Sequence, residues 1–177
     1  MNTRRTARTA AALGAVAVTA TLTAPVASAV PEVHTPAVNG IEIPPAGVPG
    51  TSLRPITVSA HPAVRTMQFP PPPAAVEFRV ENVAPYHHMF NYRYLSVNWR
   101  NLASGATGTV KLRHWRDLRD RDTPVEPGSP ASLPTSASAV TGGGPVVATV
   151  SVTAAPHGAP HTVNSLIPGL IAIDVPR

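Results

Sequence analysis

The chain has 177 residues, 22 of them Pro and 12 Gly, with no Cys, 13% charged and 5% aromatic. Pro stands at more than twice its usual share of ~5%, which excludes long coiled coils and helical bundles. The missing cysteine excludes disulfide-stapled, iron–sulfur and thiol-dependent proteins, and 43% hydrophobic residues with few charges argue against wholesale disorder.

Residues 1–29 read as a secretory signal peptide. Arg4, Arg5 and Arg8 form a basic start, and an uncharged Ala/Val/Leu/Thr run extends from Ala10 to about Ala24. Ala27-Ser28-Ala29 then offers the small residues that a signal peptidase reads. The apolar run is short and diluted for a membrane span of ~20 residues. Arg4-Arg5 also invites a twin-arginine reading, but Ala7 stands where a bulky apolar residue normally follows that pair. The expected mature protein is secreted or extracytoplasmic, with no membrane span after cleavage. Its charge is also smaller. The whole chain carries +5, three arginines leave with the signal, and 11 basic residues remain against 9 acidic ones, or +2. So small a balance predicts no nucleic-acid partner and no strong attraction to an anionic membrane.

Residues 30–52 hold five prolines and read as a flexible arm, with Ile41 and Ile43 alternating around Glu42 as a short edge strand. From Arg54 the pattern changes. Ile56 and Val58 alternate with Thr57 and Ser59, and the Pro70–Pro73 run then forces a polyproline spacer. Ala74 to Val83 predicts a strand with Val76, Phe78 and Val80 inward and Glu77, Arg79 and Glu81 outward. Residues 91–116 predict a β-hairpin around the small-residue connection Ala103–Gly108. Its first strand turns Leu95, Val97 and Trp99 inward. The return strand puts Val110, Leu112 and His114 on one face and Lys111, Arg113 and Trp115 on the other.

The run from Arg116 to Asp122 holds six charges summing to zero and reads as a short helical turn. Residues 123–145, rich in Pro, Ser, Ala and Gly, read as a mobile loop. Val146–Thr153 and Leu170–Val175 supply two more alternating strands. The expectation is all-β: a small antiparallel β-sandwich of immunoglobulin-like size, with six to seven strands, over residues 53–177.

Chemical variety concentrates in Tyr86–Tyr94. One reading is an aromatic and basic binding face made of Tyr92, Arg93, Tyr94, Arg100, Arg113 and Trp115. Tyrosine and tryptophan rings stack on sugars or peptides, and arginine forks bond carboxylates or phosphates. The plainer alternative is that strand aromatics pack a core. A second reading is a copper or zinc site drawn from His87, His88, Met89, His157 and His161, because imidazole and thioether suit those metals. Against it, His87 and His88 point opposite ways on an extended segment, and Pro160 disfavours a helical pairing of His157 with His161. No Gly-x-Ser-x-Gly elbow, zincin, P-loop or dinucleotide signature is present, so no catalytic residue and no cofactor is expected. The sequence therefore points to an exported non-enzymatic protein whose partner is a cell-envelope component or another protein, with metal binding as the alternative.

Overall fold

Alternation of apolar and polar residues at a spacing of two produces strands along most of the chain. The computed structural model describes residues 37–46, 52–64, 67–116, 127–156 and 158–177. The expected signal peptide, residues 30–36 and 47–51 of the arm, and residues 117–122 of the charged run lie outside the described residues. In chain order the first six strands are β1 Ala37–Val38, β2 Gly40–Glu42, β3 Arg54–Ile56, β4 Val58–Pro62, β5 Ala75–Val80 and β6 Arg93–Asn101. The others are β7 Thr107–Leu112, β8 Ser136–Val140, β9 Gly144–Ala154, β10 Thr162–Val163, β11 Ser165–Ile167 and β12 Gly169–Val175.

The large sheet runs β1-β12-β9-β6-β7, and β10 also pairs with β9. β9 is its spine. One flank carries β6, while β12 and then β10 take the other. A second sheet runs β4-β5-β8 and a third runs β11-β2-β3, with every pairing antiparallel. The inward faces of the first two sheets meet in one core. Leu95, Val97, Leu112, Val150 and Ile171 come from the large sheet, and Val58, Val76 and Phe78 from the smaller one. This is a small antiparallel β-sandwich, as the alternation predicts. Among the described residues, the seven strands of five residues or more build it, and the other five are pairings of two or three residues.

Three stretches depart from expectation. In the segment read as a flexible arm, β1 pairs with β12, and β2 is the central strand of the third sheet, not an edge. Glu42 holds it there through contacts set out below. Within the segment read as a mobile loop, Ser136–Val140 pairs with β5 and turns Ala137 and Ala139 toward the core. Alanine and serine alternate there with too little contrast in hydropathy to announce a strand. The hairpin's return strand also ends early. After Leu112 the Arg113 N–H bonds the Pro134 carbonyl (2.8 Å), so the chain leaves β6 and crosses toward β8. His114 and Trp115 are consequently both buried instead of alternating. Trp115 packs with Ala84, Phe90 and Ala131 in a second, smaller core.

Three glycines are required by close approach. Gly108 lies opposite Trp99, whose ring occupies the space a Cβ would need. Gly40 and Gly169 face each other where two neighbouring segments change sheets together: β1 passes into β2 beside the passage of β11 into β12. A Cβ on Gly40 would stand 2.8 Å from the Gly169 backbone nitrogen, which cannot swing aside as a side chain can. Gly40→Ala is therefore expected to lower stability by about 1–3 kcal/mol, the usual cost of overpacking. Urea denaturation measures it, and an unchanged midpoint would show that the two segments are not held this tightly.

Candidate functional site

β6 starts at Arg93, and its period of two sends Tyr94 to one side and Arg93 to the other, while Tyr92 in the turn just before the strand lines the same groove as Tyr94. The tyrosine side faces a groove of about 590 Å³ between the 127–133 segment and the 155–161 turn. Its position is fixed by backbone bonding, because the Ala155 N–H donates to the Tyr92 carbonyl at 2.7 Å. Tyr94 forms the floor and is 6% exposed; Tyr92 stands at the side, 51% exposed. Tyr94 Oη lies 3.4 Å from His161 Nδ1, with the two rings edge to face. Lys111 projects from β7, and its Nζ is 5.2 Å from the centre of the Tyr94 ring. Such an ammonium–ring contact at an exposed site favours this position by about 0.5–1 kcal/mol. No Asp or Glu lines the groove among the described residues. An exposed aromatic face, an ammonium and an imidazole in one concavity suit a small polar ligand with a flat apolar face.

The opposite side of the same strand builds a buried charge cluster. Glu42 on β2 is 0% exposed, and Arg93 Nη1 meets its Oε1 at 2.8 Å while also donating to the Ile43 carbonyl. His114, equally buried, places Nε2 3.4 Å from Glu42 Oε2. Arg54 faces Glu42 across the β2–β3 pairing. Burial by itself pushes the Glu42 carboxyl up, but His114 and then Arg93 beside it more than reverse that and hold it below the ordinary carboxylate range. Burial also lowers the affinity of Arg54 for its proton, and the Glu42 charge opposes the change. Enclosed as it is, this cluster ties the third sheet to the sandwich and is not a place for a ligand.

The six residues expected to share one binding face are thus divided. Tyr92 and Tyr94 line the groove, and Arg93 is engaged inward. Trp115 is 0% exposed, with its Nε1–H donating to the Arg93 carbonyl at 3.2 Å. Arg113 lies over the Trp115 ring and donates to the Ala131 carbonyl. Arg100 is six residues along β6 from Tyr94, roughly 20 Å away at ~3.3 Å per residue, beside a shallow depression with Asn98 and Thr149. A large aromatic ring has more to gain from burial than from waiting at the surface, and that is what divides the set.

The candidate metal ligands are not gathered either. His87 and His88 lie ring against ring, with centres 4.3 Å apart, and His87 Nδ1 accepts the Met89 N–H to cap the His88–Phe90 turn. His161 belongs to the groove, and His157 lies outside the described residues. Among the described residues no three His, Cys, Asp or Glu side chains come together to hold a metal ion. Lys111 of the groove and Glu42 of the buried cluster are residues that sequence reasoning did not single out. Lys111 did carry a signal, being the only lysine in a chain of thirteen arginines.

Compared with known proteins, the chain matches no family model, no curated protein and no solved structure.

The lowered pKa of Glu42 sets a direction for stability. Its contribution is fully present above about pH 4.3, the ordinary Glu value, and is lost as pH falls through the lower value of the folded state. Glu42→Gln is expected to cost about 3–5 kcal/mol near pH 7, since it leaves buried cations uncompensated. Denaturation of both proteins from pH 7 to 2 should show that gap closing below about pH 4.3. A gap of constant size would mean that the charge is not what binds the sheets.

Proposed function

We propose that this chain is an exported, non-enzymatic binding protein of the cell envelope that holds its ligand in the groove of Tyr92 and Tyr94. The observation that carries this reading is Tyr92, a large aromatic ring half exposed at the side of a polar concavity that the Lys111 side chain also lines. A surface tyrosine in such a place offers stacking area at little cost in side-chain entropy. Export is supported by the basic start, the uncharged run and the Ala27-Ser28-Ala29 pattern of the first 29 residues. An envelope ligand is supported by that address together with the groove's mixture of aromatic, amide and cationic groups. The binding role, in place of catalysis, is supported by a sequence without hydrolase or nucleotide signatures.

Co-sedimentation of the purified protein with isolated cell walls tests this function. Saturable pelleting is expected, and Tyr92→Ala should weaken it about tenfold, equivalent to ~1.4 kcal/mol of lost stacking. Because Tyr92 is exposed, the variant should keep the fluorescence of buried Trp99 and Trp115. Pelleting that is absent, or that survives Tyr92→Ala unchanged, would count against the groove.

A further inference from the structure

Lys111 gives the groove a chemical preference. It is exposed on β7, opposite Ser96 of β6, and no carboxylate pairs with it among the described residues. The neighbouring arginines differ in this respect: Arg93 is spent on Glu42 and the Ile43 carbonyl, and Arg113 on the Ala131 carbonyl. Tyr94 beneath Lys111 draws its ammonium toward the groove. Tyr92 adds an exposed ring, Asn91 an amide, and the Tyr94–His161 pair a hydroxyl and an imidazole along the same wall. The volume of about 590 Å³ lies within the ~300–1,000 Å³ usual for small-ligand sites.

Building on the groove as the binding site, we infer that its ligand is a saccharide bearing an anionic group, carboxylate or phosphate, with Lys111 as the contact to the anion. The C–H face of a sugar ring lies on Tyr92, and its hydroxyls meet Asn91, Tyr94 and His161. The anion rests on the Lys111 ammonium. With only +2 on the mature chain, recognition of the anion is local and owes little to long-range attraction. Lys111→Gln therefore removes the preference for anions at its source.

The test is titration of the full protein with defined oligosaccharides, followed by calorimetry. The probes are an oligogalacturonate, its methyl ester, a phosphorylated mannose oligomer and the unphosphorylated form. The expected result is that at least one anionic probe binds about tenfold more tightly than its neutral counterpart, and which one does so separates carboxylate from phosphate. Lys111→Gln should abolish that difference, Lys111→Arg should keep most of it, and raising salt from about 50 to 500 mM should shrink it in the parent. Equal binding of acid and neutral forms overturns the inference. So does an anionic preference that persists in a Lys111→Gln variant of unchanged thermal midpoint. If no probe binds while cell walls still pellet the protein through Tyr92, the anionic saccharide is refuted and the groove stands. If the walls fail as well, both are refuted.

Discussion

A carboxylate cut off from water must recover from neighbouring cations what it loses in hydration, and the packing of this chain is arranged around one such group. Glu42 sits on a three-residue strand that has almost no apolar surface of its own to bury. Its place in the molecule comes from Arg93 at the start of β6, His114 just beyond β7, and Arg54 across from it on β3. Each of these belongs to a different part of the chain, so a single anion holds the third sheet against the end of the large one. Removing Arg93 would leave the enclosed Glu42 charge without its closest counterpart, which costs far more than the pair adds over a hydrophobic equivalent.

The same constraint shapes the groove. With Arg93 drawn inward to Glu42, strand geometry commits Tyr94 to the other side, where Tyr92 of the preceding turn joins it. The Trp115 indole also bonds the Arg93 carbonyl, so the backbone between the two tyrosines is held from within by side chains on two other segments. The tyrosine floor is therefore mounted on rigid structure, while the two flanks come from segments near Ser129 and Pro156. A concavity with a fixed floor and flanks of loop keeps its polar groups in register and still admits a ligand.

Much of the sandwich can be read from the alternation alone: β5, β6, β9 and β12 all face the way their apolar residues require. β8 escaped notice because Ala and Ser contrast weakly, though its alternation is regular. β2 escaped because three residues carry no period, and the partner that settles its position lies 51 residues away. Trp115 was misplaced for a different reason. Extending the alternation of β7 past Leu112 assumes that the strand continues, and the bond from Arg113 to Pro134 ends it. The groove was half visible, since Tyr92 and Tyr94 stood out by residue type. Lys111 and His161 join them only through pairings between distant segments, which no local pattern encodes.

The pairing of β1 with β12, and of β2 with β11, bears on the order in which the chain can assemble. β1 pairs with a segment about 130 residues downstream, and β2, which meets β3 close by in sequence, gains its other neighbour about 125 residues downstream. A chain synthesised N-terminus first therefore leaves β1 without β12 and one edge of β2 open until β11 and β12 have emerged. The two passages between sheets, at Gly40 and at Gly169, then close against each other late in assembly.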